Sequence, residues 1–342
     1  MAVAVPTIRV AVAGATGYAG AGCVRLLQEH PQVELAGVSS RSHAGVRHAE
    51  ACPGSACQML LSEAVDAGAC DLVLSAQAPG ECARQAGAWL EQGAVVLDVS
   101  PDFRLDSSSL YRNWYGAEHP APDLLRRAVL ALPELDPSAI GEAGLLALPG
   151  CFSTAAILAC GPAAAAGLVL PEVVVDAKTG ASGAGRGAAA EFLFSEVAES
   201  VRAYQVGGHR HRPEMERALA HLGGEPFSVT FVPHLVPMVR GIVATCYLRP
   251  RQGVSLEQVR SVYRERYRDQ PFVQIAPEPV PSKRTSRTNL CLLHLEQQGP
   301  HLVISAVLDN LGRGAASQAV QVLNLRFGLP AAAGIGQDSW WP

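Results

Sequence analysis

The sequence predicts an α/β protein of two domains, with a doubly wound parallel sheet in the first and a mixed α+β sheet in the second. The chain has 342 residues, which is more than one ordinary hydrophobic core accommodates. In its first part short apolar strands alternate with helical segments, and this order builds a parallel sheet. In its second part longer strands follow one another with few strong helices between them, which is typical of an α+β domain.

The first domain is expected over residues 1–150. The β-branched run Ile8–Ala13 ends in glycines, a helical pattern follows at residues 20–29, and Val33–Ser39 is a second apolar strand. Strand, turn, helix and strand in this order form one βαβ unit. The same reasoning predicts three more elements of this domain, which are strands at residues 72–75 and 95–99 and a helix at 81–92.

The second domain is expected over residues 151–313. Apolar residues recur at helical spacing after it and predict a last helix at residues 314–327. The strands of the mixed sheet are predicted at residues 172–178, 228–233, 241–248, 288–295 and 301–308.

The composition excludes several classes of protein. Hydrophobic residues make up 49% and charged residues 17%, which indicates a packed chain. A net charge of -4 gives no electrostatic reason to expect nucleic acid or an anionic membrane surface as partner. The most apolar stretch, residues 159–177, is broken by glycine and proline and carries Glu172, so no membrane span is predicted. Nine scattered cysteines and no recognisable secretion signal favour reduced thiols in a cytoplasmic enzyme.

A glycine-rich turn joins the first strand to the first helix. Its sequence, GATGYAG at residues 14–20, has the spacing GxxGxxG. Glycines let the backbone turn tightly and approach a pyrophosphate, which the N–H groups at a helix N-terminus stabilise. The alternative is a tight turn that binds no ligand. We predict dinucleotide contacts from Gly14, Thr16, Gly17, Tyr18, Ala19 and Gly20.

The end of the second strand indicates which dinucleotide is bound. NAD enzymes usually place Asp or Glu there for the ribose hydroxyls, whereas this chain has Ser39, Ser40 and Arg41. Hydroxyls and a guanidinium suit a 2′-phosphate. The sequence therefore favours NADP(H) over NAD(H), and the alternative is that Arg41 is a solvated loop residue.

Cys151 lies in the segment PGCFST, at or just before the N-terminus of a helical run predicted at residues 155–159. The N–H groups at a helix N-terminus stabilise a thiolate, so Cys151 is the candidate nucleophile. The other eight cysteines lack this setting. The alternative is that Cys151 is a small buried residue that contributes only packing.

A second cluster is the loop GGHRHRPE, which carries His209 and His211. A loop that begins with glycines and ends in proline can present imidazoles to a site and shift their pKa values. The pair could also bind a metal ion, but no Cys or acidic ligand set with zinc spacing is nearby, so no metal is predicted. His119 and His234 are weaker candidates.

Three loop arginines are candidates for anion binding, because guanidinium groups suit carboxylates and phosphates. They are Arg104 in PDFR, Arg186 in SGAGR and Arg240 in VPMVRG. Arg186 is the best of the three, since the glycines around it would expose N–H groups as an anion nest. Further contacts are expected from Ser153 and Glu214 to the substrate, and from Ser182, Gly183 and Asn310 to the cofactor.

These motifs together resemble those of the type 1 N-acetyl-gamma-glutamyl-phosphate reductases. The resemblance runs from about residue 9 to residue 328, and the segments that carry it are GATGYAG, SPDFRL, YGAEHPAPDLL, LPEL, PGCFSTAAILA, SGAGR, GHRHRPE, VPHLVPMVRGI and DNLGRGAASQAVQVLN. The related aspartate-semialdehyde dehydrogenases share the architecture and the glycine turn, but not the HRH loop. The chain departs from the family at Leu148, where Asn is usual, and at Phe152-Ser153, where Tyr-Pro is usual.

The resemblance implies a semialdehyde dehydrogenase-like fold. A Rossmann-like NADP-binding domain would be completed by a C-terminal helix at 314–342, and the second domain would be catalytic and dimerising. Cys151 would be the nucleophile, and the HRH loop would supply the acid/base; we favour His209, with His211 as the substitute. The implied reaction is reductive dephosphorylation of N-acetyl-gamma-glutamyl phosphate through a cysteine thioester, in arginine biosynthesis. A homo-oligomer, dimer or tetramer, is expected.

Three alternatives remain at this point. A sister group reduces an aminoadipyl phosphate on an acidic carrier protein in lysine biosynthesis, but its cysteine and arginine loops are less similar to PGCFSTA and SGAGR. A nucleotide-sensing binding protein would keep the cofactor domain and have an unreactive Cys151. A cysteine acyltransferase or hydrolase would need no dinucleotide turn and would consume no NADPH.

Overall fold

The computed structural model describes residues 7–336. Within this range the chain divides into two compact units, one of residues 7–149 and 315–336 and one of residues 150–314. The predicted class is confirmed, since a parallel sheet occupies the first unit and a mixed sheet the second. No helix in the described part of the chain is both long and apolar enough to cross a lipid bilayer.

The first unit is built on a six-stranded sheet in which every neighbouring pair of strands is parallel. The strands are β1 (Ile8–Ala13), β2 (Val33–Ser39), β3 (Leu72–Ser75), β4 (Val95–Asp98), β5 (Val129–Leu130) and β6 (Leu145–Ala147). Their order across the sheet is β2-β1-β3-β4-β6-β5. Parallel strands need crossover connections, so helices cover the faces and the central strands are buried without alternation.

The crossover connections of the first unit contain six helices. They are α1 (Tyr18–Gln28), α2 (His48–Ala51), α3 (Glu81–Glu91), α4 (Ser108–Tyr115), α5 (Pro122–Leu125) and α6 (Pro137–Glu142). The predicted helices at 20–29 and 81–92 match α1 and α3 to within two residues at either end.

The second unit is a seven-stranded mixed sheet accompanied by four α-helices in the described part of the chain. The strands are β7 (Val169–Thr179), β8 (Arg202–Ala203), β9 (Ser228–Leu235), β10 (Ile242–Pro250), β11 (Val273–Ile275), β12 (Cys291–Gln298) and β13 (His301–Leu308). The helices are α7 (Cys151–Ala165), α8 (Phe194–Val197), α9 (His211–Gly223) and α10 (Leu256–Tyr267). The strand order is β11-β12-β13-β10-β7-β9-β8, and only the pairs β7–β9 and β11–β12 are parallel.

Helix α7 is longer than the sequence indicates, because it continues through Pro162. A proline inside a helix supplies no N–H for the carbonyl four residues earlier, which here belongs to Leu158. The hydroxyl of Tyr267 on α10 donates to that carbonyl at 2.6 Å. The hydroxyl of Tyr263 donates to the neighbouring carbonyl of Ala159. A tertiary hydrogen bond from α10 therefore replaces the helical hydrogen bond that Pro162 cannot donate to the carbonyl of Leu158.

Two predicted elements need correction. The strand expected at 288–295 begins three residues later, as β12, because the hydroxyl of Thr288 donates to the carbonyl of Thr285 at 2.9 Å and accepts from the N–H of Leu290, which makes a turn. The C-terminal helix expected at 314–342 is α11 (Ser317–Arg326). A π-helical turn, Gly312–Ala316, precedes it, and residues 337–342 lie outside the described part of the chain.

Helix α11 returns to the first unit. It packs against α1 and α6, and the Arg326 guanidinium donates to the carbonyl of Ala143 at 2.7 Å. The Asn324 side chain lies 2.9 Å from Nε2 of His30 and donates to two carbonyls of the following turn. The last described residues are therefore held in place by a buried asparagine.

Candidate active site

Cys151 is the first residue of α7, and the residue before it, Gly150, is the N-cap. Glycine has no side chain with which to cap a helix, and the N-terminal N–H groups with the positive end of the helix dipole favour a thiolate at this position. All nine cysteines lie in the described part of the chain, and Cys151 alone among them is not buried. The predicted setting of Cys151 is therefore present.

The imidazole of His211 packs directly on the N-cap glycine. A Cβ atom added to Gly150 would lie 2.2 Å from Nε2 of His211 and 2.5 Å from its two carbon neighbours in the ring. Any side chain at position 150 would displace this ring. The glycine before Cys151 is therefore required by the approach of His211.

Two hydrogen bonds join the first turn of α9 to the first turn of α7. The Glu214 carboxylate accepts from the N–H of Gly150 at 2.8 Å, and the Ser153 hydroxyl donates to the carbonyl of His211 at 3.3 Å. The side chains of Glu214 and Ser153 are fully buried. Both residues were expected to contact the substrate; in the structure their side chains bond to the backbone beside Cys151 and at His211.

His209 lies in an aromatic pocket beside His211. Its ring centroid is 4.7 Å from that of His211, 5.7 Å from that of Phe152 and 5.1 Å from that of Phe231. Burial, followed by the positive charge of His211, lowers the pKa of His209 to about 3. His209 is therefore neutral near pH 7.

Phe152 and Tyr204 belong to the same site, although the sequence did not single them out as functional residues. The Phe152 ring contacts both imidazoles, at 5.7 and 5.9 Å between centroids, and the Tyr204 ring lies 5.7 Å from that of His209. Burial, and next the negative charge of Cys151, raises the pKa of Tyr204 above its usual range. The position of Tyr204 five residues before His209 was the only available signal.

The glycine-rich turn of the first unit is tightly packed at two of its three glycines and open at the third. A Cβ atom on Gly14 would lie 2.6 Å from the carbonyl oxygen of Ala76, and one on Gly20 would lie 2.2 Å from that of Gly14. Packing of the turn therefore explains these two glycines. A Cβ atom on Gly17, the N-cap of α1, would have no neighbour nearer than 3.8 Å among the described residues. Its freedom from packing fits close approach of a phosphate group.

The residues predicted to hold a 2′-phosphate lie at and just after the end of β2. The hydroxyls of Thr16 and Ser40 lie 2.9 Å apart, and the carbonyl of Ser39 accepts the N–H of Gly14 at 3.1 Å. Arg41 is mostly exposed, but its guanidinium pairs with Glu81 at 2.9 Å. A phosphate would have to compete with Glu81 for Arg41.

The chain is similar to known semialdehyde dehydrogenases and reductases over nearly its whole length. Residues 9–143 match the semialdehyde dehydrogenase NAD-binding domain, and residues 151–310 match the semialdehyde dehydrogenase dimerisation domain. The chain is 43% identical over 324 residues to the N-acetyl-gamma-glutamyl-phosphate reductase of Dehalococcoides mccartyi, covering 94% of this chain and 95% of that protein. It is also 43% identical to N-acetyl-gamma-glutamyl-phosphate reductase 1 of Pseudomonas putida, covering 98% and 100%.

The chain belongs to the N-acetyl-gamma-glutamyl-phosphate reductase family. The family, the oxidoreductase class and a nicotinamide dinucleotide cofactor were predicted from the sequence, and all three are confirmed. The carrier-protein-linked and non-catalytic alternatives are not favoured by these relatives.

Solved structures share the fold of this family member. Aspartate semialdehyde dehydrogenase II of Vibrio cholerae has a TM-score of 0.71 at 19% identity, covering 93% of this chain and 98% of that chain. The aspartate semialdehyde dehydrogenase of Candida albicans, solved with NADP, has a TM-score of 0.70 at 15% identity with the same coverage. At these identities the likeness concerns the fold alone.

The three candidate arginines of this reductase family member differ in their surroundings. Arg104 is nearly buried and donates to the carbonyl of Val99 at 2.9 Å, so we leave it out of the anion site. Arg186 is exposed, but the glycines near it form no anion nest, because the N–H groups of Gly183 and Gly185 donate within a 3₁₀ turn. This corrects the reason for choosing Arg186.

Arg240 remains the best-placed arginine. Its guanidinium pairs with the buried carboxylate of Asp309 at 3.0 Å, and 29% of its side chain is exposed. The next residue, Asn310, accepts from the N–H of Gly241 at 2.8 Å and donates to the Ser182 hydroxyl at 3.1 Å. The structure thus brings together Ser182, Arg240 and Asn310, which the sequence named separately.

Proposed function

We propose that this chain is the NADPH-dependent N-acetyl-gamma-glutamyl-phosphate reductase of arginine biosynthesis. It converts the acyl phosphate to N-acetylglutamate 5-semialdehyde and phosphate. The observation that carries the proposal is the packing of His211 on Gly150, immediately before Cys151 at the N-terminus of α7. The names of relatives that match nearly the whole chain support the choice of substrate.

The first half of the reaction forms a thioester on Cys151. Nε2 of His211 takes the thiol proton, the thiolate attacks the acyl carbonyl, and the bond between the acyl carbon and the phosphate oxygen breaks. His211 passes its proton to the departing phosphate. The N–H groups at the N-terminus of α7 stabilise the thiolate first and the oxyanion of the tetrahedral species afterwards.

The second half returns Cys151 to its starting state. When bound, NADPH would supply the hydride that reduces the thioester carbon. The N–H groups of the Cys151 turn hold the oxyanion of the resulting hemithioacetal, and its collapse breaks the carbon–sulfur bond and releases the aldehyde. The thiolate then regains one proton from water. Reduction of a thioester is easier than direct reduction of a carboxylate, because a thiolate leaves readily.

The choice of His211 over His209 as acid/base follows from their surroundings. His209 was preferred from the sequence, with His211 as the substitute. Nδ1 of His209 accepts the backbone N–H of His211 at 3.1 Å, and burial keeps its ring neutral. The His211 ring instead lies against the backbone that presents Cys151. His209 then serves to hold the loop.

The cofactor would be held by the turn at residues 14–20, with the 2′-phosphate near Ser40 and Arg41. Gly17 and the N-terminus of α1 would receive the pyrophosphate. Ser182 and Asn310, which bond to each other, and Gly183 are the proposed cofactor contacts in the second unit. Arg240 and Arg186 are the proposed contacts for the anionic groups of the substrate.

The active form is proposed to be a cytoplasmic homo-oligomer, a dimer or tetramer. Residues 151–310 match a dimerisation domain. On β7, Val173 and Val175 are buried, whereas Val174 between them is 41% exposed, so at this strand the second face of the sheet presents an apolar side chain to solvent. A second copy of the chain would cover this face.

A Cys151→Ser variant tests the covalent route. Wild-type enzyme given NADP and the semialdehyde without phosphate is expected to form about one equivalent of NADPH per site, because the thioester cannot be released by phosphate. Cys151→Ser should bind NADPH but form none. Cys70→Ser, in which serine can keep the hydrogen bonds of Cys70 to the carbonyls of Asp66 and Ala67, is the control. Turnover by Cys151→Ser near the wild-type rate would refute the mechanism.

A further inference from the structure

Asp309 is a fully buried carboxylate in the second unit, at the start of the segment DNLGRG. It was not among the residues that the sequence predicted to be functional. One of its oxygens accepts from the N–H groups of Leu311 and Gly312, at 2.9 and 3.0 Å. The other accepts from the N–H of Arg287. Both oxygens also contact the guanidinium of Arg240.

Asp309 contacts one edge of the Arg240 guanidinium, the edge that carries Nε and Nη2. Nε and Nη2 of Arg240 donate to the carboxylate of Asp309 at 3.2 and 3.0 Å, while 29% of the Arg240 side chain remains exposed. A guanidinium has five N–H donors in a fixed plane. Two are used to fix that plane, and the outer edge stays available for an anionic oxygen.

Asp309 also helps to form the turn that packs against Cys151. The carbonyl of Asp309 accepts the N–H of Gly314 at 2.9 Å. A Cβ atom on Gly314 would lie 2.5 Å from Cβ of Cys151 and 3.4 Å from the carbonyl oxygen of Asp309. The backbone of Asp309 and the Cys151 side chain therefore border the same small space.

The conformation of Arg287 also depends on this carboxylate. Arg287 is one of three non-glycine residues with positive φ in the described chain, at 62°. Such a backbone costs free energy and persists only where its surroundings impose it. Its N–H is the group that donates to Asp309, so one buried carboxylate contacts three separate segments of the chain, at Arg240, Arg287 and Leu311–Gly312.

We propose that Asp309 is a positioning residue, which holds the Arg240 guanidinium in place to receive an anionic oxygen of the substrate beside Cys151. This proposal deepens the proposed function and rests on it. The substrate class is an acyl phosphate that also carries a carboxylate, and Arg240 receives one of these two anionic groups. Asp309 acts through Arg240 and touches no reacting atom.

The kinetic test uses Asp309→Asn and Arg240→Lys. Asparagine removes the charge and places an NH₂ group against donors, and lysine keeps the charge but loses the planar two-point contact. Each should raise the KM of the acyl phosphate about 10- to 100-fold, the value of a charge-assisted hydrogen bond, with the KM of NADPH unchanged. Arg251→Lys, at an ion pair with Glu225 whose two side chains are each 42% exposed, is the matched control and should behave as wild type.

The reverse reaction identifies which group Arg240 receives. A raised KM for inorganic phosphate points to the phosphoryl group, and a raised KM for the semialdehyde points to its carboxylate. Either result supports the proposal. If neither KM changes in Arg240→Lys, the proposal is overturned, whether or not Asp309→Asn folds.

A second test measures the alkylation rate of Cys151 and does not depend on the substrate or on catalytic turnover. Wild-type Cys151 should react with iodoacetate faster, relative to neutral iodoacetamide, than it does in Asp309→Asn or Arg240→Lys, because a well-placed guanidinium attracts the carboxylate. The variant that combines Asp309→Asn with Arg240→Lys should change the ratio of the two alkylation rates no more than either single variant does. Each substitution by itself already removes the contact between Asp309 and Arg240. Additive effects, or an unchanged ratio, would contradict the role of Asp309 even if the chain proved to have another substrate.

Discussion

The Nδ1 atom of His209 accepts a hydrogen bond of 3.1 Å from the backbone N–H of His211. Because a backbone N–H can only donate, Nδ1 carries no proton, and the neutral ring must carry its proton on Nε2. A charged His209 would need a proton on Nδ1 and would lose this bond. The hydrogen bond and the burial thus act in the same direction, and both keep His209 neutral.

A His211→Asn variant is therefore expected to lose more activity than His209→Asn. Removing the acid/base should lower kcat about 10²- to 10⁴-fold. His209→Asn keeps a short polar side chain whose oxygen can accept the same N–H, so its loss should be smaller. The measurement is kcat in the direction of NADPH oxidation, with the exposed His221 at the end of α9 replaced by Asn as the control. A larger loss at His209 would reverse the two assignments.

A Gly314→Ala variant should impair the nucleophile without touching its sulfur. The added methyl group would lie 2.5 Å from Cβ of Cys151, closer than two carbon atoms can approach, so the Cys151 side chain must move. A misplacement of about 1 Å can cost about 10²-fold in rate. Both turnover and alkylation of Cys151 should slow.

The control for this variant is Gly141→Ala. Gly141 lies within α6 and has open space at its Cβ position, and alanine is the better helix former. It should leave both rates unchanged and should not lower stability. Normal alkylation of Cys151 in Gly314→Ala would contradict the close packing of Gly314 on the nucleophile.

Much of the first unit follows from its sequence. Ile8–Ala13, Val33–Ser39 and Leu72–Ser75 are strands with the predicted limits, because short apolar runs bounded by glycine and polar turns leave few other options. The length of α7 could not be predicted from the sequence. Gly161 and Pro162 indicate a break, and only the hydroxyls of Tyr263 and Tyr267, about one hundred residues later, let the helix continue.

In the candidate active site, too, some features could be predicted from the sequence and others depend on contacts between distant residues. The motif around Cys151 and the pair of histidines were visible in the sequence, because their residue types carry chemistry. The hydrogen bonds of Glu214 and Ser153 to the backbone were not visible, since a polar residue beside a motif can bind substrate or hold the backbone, and their burial appears only in the fold. Asp309 gave no local signal at all, because its partners Arg240 and Arg287 are distant in sequence.

A Gly17→Ala variant tests the dinucleotide turn without disturbing its packing. A Cβ atom at this position would have no neighbour nearer than 3.8 Å, so the protein should fold normally. In the proposed complex the same methyl group lies where the pyrophosphate approaches the N-terminus of α1. We expect NADPH to bind about tenfold more weakly or worse, measured by titration of cofactor fluorescence.

The thermal stability of Gly17→Ala without NADPH is its internal control and should equal that of the wild type. Gly20→Ala is the contrasting variant, because its methyl group would lie 2.2 Å from the carbonyl oxygen of Gly14 and should lower stability itself. Unchanged NADPH affinity in Gly17→Ala would remove the pyrophosphate from this turn.

The buried carboxyl of Asp98 at the end of β4 makes the stability of the first unit depend on pH. Burial, followed by the charge of Asp102, raises the pKa of Asp98 from its usual 3.8 to about 7. The folded chain therefore holds a proton that the unfolded chain releases. The stabilisation is complete below pH 3.8, declines as the pH rises, and is lost above about 7.

Asp98→Asn should remove this dependence, because an amide does not ionise. Its oxygen can still accept the N–H of Ser100, which Asp98 binds at 2.9 Å. Between pH 5 and pH 7 the wild type should lose stability relative to Asp98→Asn by up to about 1.4 kcal/mol per pH unit, measured by urea unfolding. Asp123→Asn, whose side chain is 95% exposed, should follow the wild type. A difference between wild type and Asp98→Asn that stays constant across this range would show that Asp98 is already ionised in the folded chain.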